Sequence, residues 1–248
     1  MHEIVRLETV GSTNEYLKSL AKTARGGLVA LAEEQTGGKG RLGRSWLSLK
    51  GQGAWFSVLV KDGRLCAENA AGLVFVCALA CAKSLRRLCA SNDILVKWPN
   101  DIVLHGKKLC GILCESGFDG EKLCYSICGI GINLLSERFP GELPWATSVL
   151  AETGLRLNPL SVTEAFLAEF DILSEKLYNI GLAEILDELR PVSATLGKTV
   201  CASGPDGNVT GLASDFAPDG ALLIKTCEGV RRVNVGDVSV RGVMGYAD

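Results

Sequence analysis

Lys97-Trp98-Pro99-Asn100-Asp101 closes the apolar run Ile94-Leu95-Val96 and leads straight into Ile102-Val103-Leu104, the pair His105-Gly106, and Lys107-Lys108-Leu109-Cys110-Gly111-Ile112-Leu113-Cys114-Glu115. Short β-rich runs broken by turn residues predict strands joined by hairpins. Strands are expected at 94–98, 102–104, 108–115 and 123–133, the last two joined by a turn within 118–122. Upstream, strands are expected at 4–7, 27–32 and 54–60. Ser12-Thr13-Asn14-Glu15 fits a capping box that opens a helix to about Arg25. A longer helix is expected over 66–88, with Arg86 and Arg87 in its last turn. Two more should follow at 161–180 and 182–189, stopped by Pro191. This order predicts an α/β (α+β) domain over residues 1–190.

Beyond Pro191 short strands alternate with the turns Pro205-Asp206-Gly207-Asn208 and Ala217-Pro218-Asp219-Gly220. That texture predicts a small antiparallel β-barrel over residues 191–248. Residues 192–248 carry five Lys or Arg against six Asp or Glu, so the barrel is not a nucleic-acid module by charge. The whole chain has a net charge of −2, which argues against DNA or an anionic membrane as its main partner. The apolar stretch 70–82 is too short to span a bilayer and reads as a buried helix. The start shows no basic region leading into an apolar run, so no signal peptide is expected and the compartment reads as cytoplasm.

Gly37-Gly38-Lys39-Gly40-Arg41-Leu42-Gly43-Arg44 carries the clearest chemistry. From Gln35 to Lys61 there are five Lys or Arg and no carboxylate. Glycines allow a backbone to approach a ligand closely, and the cations suit phosphate or carboxylate. Gly38-x-Gly40-x-x-Gly43 has the spacing of a dinucleotide fingerprint, but a strand and not a helix follows it. Gly129-Ile130-Gly131-Ile132-Asn133 reads as a second place where a backbone meets a ligand, ending in an amide. Lys50 and Lys61 read as solvated, Trp46 and Trp55 as loop anchor and core.

Ten cysteines include three pairs four residues apart: Cys77/Cys81, Cys110/Cys114 and Cys124/Cys128. No CxxC occurs and there are two histidines, so these read as small hydrophobes in apolar segments and not as metal ligands. Free thiols fit a reducing compartment.

The run Lys97-Trp98-Pro99-Asn100-Asp101, then Lys108-Leu109-x-Gly111-Ile112, then Gly129-Ile130-Gly131-Ile132-Asn133, resembles the biotin protein ligase family. Ser12-Thr13-Asn14 and Gln35-x-x-Gly38-x-Gly40-Arg41-x-Gly43-Arg44 match it as well. The matches run in order from near residue 10 to Arg241. The family often has Arg where Lys39 stands, which keeps the charge and loses the fork geometry. No helix-turn-helix domain of the repressor type is visible, so operator binding is not expected.

The resemblance implies a class II synthetase-like catalytic fold, a mixed sheet with helices packed mainly on one face, with an SH3-like C-terminal barrel. It implies two half-reactions: biotin and ATP with Mg2+ give biotinyl-5'-AMP, and biotin then passes to a lysine of a biotin carboxyl carrier protein domain. Lys108, Arg41 and Asp101 are implied as catalytic. Ser12, Thr13, Asn14, Gln35, Gly38, Lys39, Arg41, Lys108, Gly111, Gly129 and Gly131 are implied at biotin. Arg41, Arg44, Asn100, Lys108, Asn133, Trp145 and Arg241 are implied at ATP, with Asn100 also a candidate for magnesium. A homodimer is the assembly some members form. Residues 36–46 are expected to fold over a water-sensitive adenylate.

Plainer readings stand beside these. Asn100 and Asp101 could cap the turn after Pro99, Trp145 could be packing, and Arg241 a surface charge at the barrel edge. Among functions, a lipoate–protein ligase shares the chemistry, but its arginine- and triple-glycine-rich motif and its His-Asp pair are missing here. A non-catalytic biotin-binding protein would not need the phosphate-directed cations Arg41 and Lys108.

Overall fold

In the computed structural model, the residues described are 2–246 apart from 121, 205–206, 237–238 and 243–245. Seven strands form one sheet: β1 (Glu3–Val10), β2 (Leu28–Gln35), β3 (Gly53–Val60), β4 (Ile94–Lys97), β5 (Asp101–Leu104), β6 (Lys107–Asp119) and β7 (Lys122–Asn133). Their order is β1-β2-β3-β7-β6-β5-β4. Only β1 and β2 run parallel; every other neighbouring pair is antiparallel. His105 and Gly106 both adopt positive φ, as a two-residue hairpin turn between β5 and β6 requires.

Helices α1 (Thr13–Leu20), α2 (Ala67–Cys89), α3 (Val149–Thr153), α4 (Pro159–Asn179) and α5 (Leu182–Leu189) complete this part. The even-numbered β3 residues Phe56, Val58 and Val60 face the main core with Leu73, Phe75, Leu79 and Leu85 of α2. Phe166 of α4 meets Phe56 edge-on at 5.2 Å and stacks on Phe170 at 5.5 Å. Leu59 has the opposite parity and packs with Leu17, Ala21, Ala30 and Ile127 in a smaller cluster. So α1 lies on the other face of the sheet from α2, an exception to helices on one face that follows from the period-2 alternation of β3.

Three local expectations are corrected. Ser12 stands at the N-cap of α1, but its side chain makes no capping bond. The helix ends at Leu20 and not near Arg25, where Lys61 donates to the carbonyls of Ala21 and Ala24 at 2.9 Å each. Lys61 is therefore a tether for the end of α1 and not a solvated charge. The short helix α3 has no apolar periodicity long enough to register in sequence; Ser148 caps it by accepting from the Ala151 N–H.

The C-terminal strands β8 (Thr199–Gly204), β9 (Gly207–Phe216), β10 (Leu222–Thr226), β11 (Gly229–Val233) and β12 (Ser239–Gly242) form an antiparallel sheet ordered β11-β10-β9-β8-β12. The turn at Ala217–Gly220 forms as expected, with Gly220 at φ +86° and its N–H on the Ala217 carbonyl. The expected turn at Pro205-Asp206 lies outside the described residues. No helix described is long and apolar enough to cross a membrane.

Phe166→Ala removes the ring that joins α4 to the sheet. It is expected to lower unfolding free energy by about 3–5 kcal/mol with an unchanged denaturant slope, read by urea titration.

Candidate active site

One irregularity in β6 positions the central cation. Ile102 pairs with Cys110, but Val103 pairs with Lys108, leaving Leu109 as an extra residue. In regular alternation Lys108 would share a face with Cys110, which is buried in the core. The bulge absorbs one residue, so Leu109 and Cys110 both stay in the core and Lys108 turns to the other face beside Gly111. There it borders a cleft of about 650 Å3.

The turn between β4 and β5 supplies the partners. The Trp98–Pro99 peptide is cis. The Asn100 amide donates to the Ile112 carbonyl at 2.8 Å, and its oxygen accepts from the Arg41 guanidinium at 2.9 Å. The next residue, Asp101, lies 2.7 Å from the Lys108 ammonium and accepts from the Tyr246 hydroxyl. Arg41 also donates to the Gly236 carbonyl. Burial drives the Asp101 carboxyl up, but the charges of Lys108 and Lys97 and the bonds from Lys108 and Tyr246 outweigh it, leaving it below the ordinary aspartate range. Asp101 is thus a carboxylate at neutral pH.

Lys97 lies beneath this group. Its ammonium donates to the Val240 carbonyl at 2.7 Å and sits 4.2 Å from the centre of the Tyr246 ring. Trp98 donates from its indole to the Gly220 carbonyl at 2.9 Å and from its backbone to Thr195. Burial pushes Lys97 down to about 8; Asp101 opposes this, while Lys108, Arg241 and Arg41 add to it. The seam between the two sheets is therefore built from the same short turn that holds Arg41 and Lys108.

At the other end of the cleft a chain of short hydrogen bonds crosses four elements, α1, β2, β3 and β6. The Thr13 N–H and hydroxyl donate to the Gln35 amide oxygen at 2.8 and 3.1 Å. The Thr13 and Ser57 hydroxyls are 2.6 Å apart, and Ser57 donates to the Asn14 amide oxygen at 2.6 Å. Asn14 donates to Glu115 at 2.7 Å, and Lys18 clamps that carboxylate at 2.6 Å. Gln35 in turn donates to Ser48 at 2.8 Å. Ser12, Thr13 and Asn14 are all buried.

The glycines make room for neighbouring side chains. A Cβ on Gly129 would lie 2.2 Å from the Asn14 amide oxygen, and one on Gly131 would lie 2.3 Å from the Trp46 indole nitrogen. One on Gly111 would lie 2.8 Å from the Trp46 ring, and one on Gly38 would lie 2.4 Å from the Trp46 carbonyl. In this structure their missing side chains make room for Asn14 and Trp46, which line the cleft. The Trp46 ring lies 5.2 Å from the Lys108 ammonium, within cation–π range.

Most of the expected site residues meet in this cleft: Ser12, Thr13, Asn14, Gln35, Lys39, Arg41, Arg44, Asn100, Asp101, Lys108, Gly111, Gly129, Gly131, Asn133, Trp145 and Arg241 all line it. Gly38 lies just behind, against Trp46. Lys39 pairs with Glu15 at 2.8 Å and is exposed. Asn133 donates to the Thr147 carbonyl at 2.9 Å. Trp145 is 45% exposed, and its backbone carbonyl accepts from the Lys108 N–H at 2.6 Å. Sequence reading passed over Ser57, Glu115, Lys97 and Tyr246 and took Trp46 only as an anchor. Their partners lie on segments distant in the chain, so spacing along the sequence gave them no site role.

Residues 7–133 match the biotin/lipoate A/B protein ligase family, more than half of the chain. The chain belongs to that family. Residues 195–241 match the biotin protein ligase C terminal domain, which places it on the biotin side of the ligases. It is 32% identical over 241 residues to the biotin–[acetyl-CoA-carboxylase] ligase of Paracoccus denitrificans, covering 95% of this chain and 100% of that one. It is 28% identical to the bifunctional ligase/repressor BirA of Bacillus spizizenii, covering 96% of this chain and 74% of the relative. The fold superimposes with a TM-score of 0.85 on the biotin protein ligase from Aquifex aeolicus in complex with biotin and ATP, at 28% identity over 98% of this chain and 100% of that one. Being a ligase of this kind, the protein is an enzyme, with the mixed sheet and C-terminal antiparallel sheet of the family.

The buried Lys97 of this ligase gives a pH test. Its folded pKa lies near 8 against an ordinary 10.5, so between those values the unfolded chain binds the extra proton. This group therefore makes stability rise as pH climbs from 8 to 10.5, and contributes no slope well below 8. Lys97→Met is expected to remove that part of the slope in urea titrations across the window; an unchanged slope counts against it.

Proposed function

We propose that this ligase activates biotin with ATP and then passes it to a lysine of a biotin carboxyl carrier domain. In the first step a biotin carboxylate oxygen attacks the α-phosphorus of ATP, and the bond to pyrophosphate breaks. In the second, the lysine amine attacks the acyl carbon of biotinyl-AMP, the carbon–oxygen bond breaks and AMP leaves. The protein's share is positioning two anions and stabilising charge at phosphorus. We read residues 1–190 as the catalytic unit and 191–248 as its companion.

One observation supports this most: two cations, Arg41 and Lys108, converge on one cleft while held by consecutive residues, Asn100 and Asp101. Lys108 is assigned to the biotin carboxylate and α-phosphate, Arg41 to the adenylate, and Arg44 and Arg241 to the phosphates. The hydrogen-bonded chain of Thr13, Asn14 and Gln35 is assigned to the ring end of biotin, with Ser12 beside it and Gly111, Gly129 and Gly131 as floor. Asn133 and Trp145 are assigned to the nucleotide. Lys39 is assigned to the loop, where its pairing with Glu15 ties the glycine segment to α1.

Asp101, ionised and paired with Lys108, is assigned to orient the incoming lysine. Magnesium would arrive with the ATP phosphates, since the Asn100 oxygen already accepts from Arg41. No step above is routed through the ion. The cytoplasm is the compartment that fits ten free thiols.

The direct test is incubation with ATP, magnesium and either biotin or lipoate, followed by mass detection of the acyl-AMP; only biotin is expected to load. Lys108→Ala should cut biotin-dependent pyrophosphate release by about 100-fold or more with the circular dichroism spectrum unchanged. Near-normal release by that variant removes Lys108 from the mechanism. Biotin plus ATP should also slow protease nicking within residues 36–46; equal nicking with and without them counts against closure of that loop over the adenylate.

A further inference from the structure

On the sheet face opposite the cleft, three cysteines far apart in sequence come together. Cys77 lies on α2, Cys114 on β6 and Cys128 on β7, with Cys114 and Cys128 directly opposed across the ladder. Their three sulfurs lie within 4.8 Å of one another. One member comes from each of the three pairs spaced by four, so the spacing within a pair was the wrong signal and convergence between pairs is what matters.

Tyr178 of α4 packs against the same core. The Tyr178 hydroxyl is buried with no hydrogen-bond partner. Burial raises its ionisation above the ordinary tyrosine range. Arg64 lies over the Tyr178 ring at 4.9 Å, but its guanidinium is already paired with Asp62 and Glu175. No histidine or carboxylate joins the sulfur cluster among the described residues.

The donor set and its surroundings narrow the ligand. Three thiols select a soft, thiophilic centre. Bonds of about 2.3 Å to three sulfurs need those sulfurs within roughly 4 Å of one another, a small rotamer adjustment from the present spacing. Three thiolates on a divalent ion leave a net negative charge in an apolar core, which is costly without a cation nearby. Three thiolates on a trivalent centre are neutral. We propose that Cys77, Cys114 and Cys128 form a binding site for trivalent arsenic or antimony.

With arsenite the step is As(OH)3 + 3 RSH → As(SR)3 + 3 H2O. Three arsenic–oxygen bonds break and three arsenic–sulfur bonds form. The thiol protons leave as water and no electron is transferred. Cys128 adjoins Gly129, and Cys114 follows Gly111 on β6, so a filled site clamps the two strands that floor the cleft.

The test uses the full chain with exposed Cys66, Cys124 and Cys227 changed to serine, so that surface thiols do not compete. After arsenite and desalting, native mass spectrometry should show one arsenic gained and three protons lost. X-ray absorption should show three sulfur neighbours and no oxygen. Cys114→Ala and Cys128→Ala should each abolish retention, while Cys81→Ala should keep it. Cys114 is only partly buried, so its alanine variant is expected to fold; its circular dichroism checks this. No retained arsenic, retention unchanged in Cys114→Ala, or retention lost in Cys81→Ala overturns the assignment. None of these readouts depends on ligase activity.

Discussion

The ion pair between Lys108 and Asp101, 2.7 Å apart under the mouth of the cleft, is the contact on which the site turns. Removing one member of such a pair from a buried place typically costs about 3–5 kcal/mol, because the other charge is left without a partner. The pair exists because of two backbone features. The bulge at Leu109 turns Lys108 away from the core, and the turn after Pro99 brings Asp101 to meet it. Asn100 then holds Arg41 from the adjacent position. A single turn thereby sets two cations in register with each other on one cleft.

The same turn joins the two sheets. Lys97 and Trp98 both reach carbonyls of the C-terminal part, at Val240 and Gly220. Tyr246 closes the group by donating to Asp101. Displacing the C-terminal part would strip partners from Lys97, Trp98 and Asp101 together. The companion sheet is thus a structural wall of the cleft.

At the far end order comes from neutral hydrogen bonds. Gln35, Thr13, Ser57, Asn14 and Glu115 form a continuous chain, anchored by Lys18. Chains of this kind polarise one another and fix each amide's orientation, which suits a ligand with both donors and acceptors. Trp46 forms the apolar part of the wall, resting on glycine positions where any side chain would displace it.

Short-range signals were enough for much of this. Strand runs between turn residues located the elements of both sheets, and the order of the Lys97–Asp101, Lys108–Ile112 and Gly129–Asn133 segments identified the family and most of the cleft. What stayed hidden were properties of register and of contacts between distant segments. The direction of Lys108 depends on one unpaired residue in a ladder. The use of Gly129 and Gly131 depends on where Asn14 and Trp46 come to rest. The meeting of Cys77, Cys114 and Cys128 depends on how α2 crosses β6 and β7. A sequence states which groups are available and how neighbours along the chain alternate; which groups face one another is decided by pairing and packing between segments scores of residues apart.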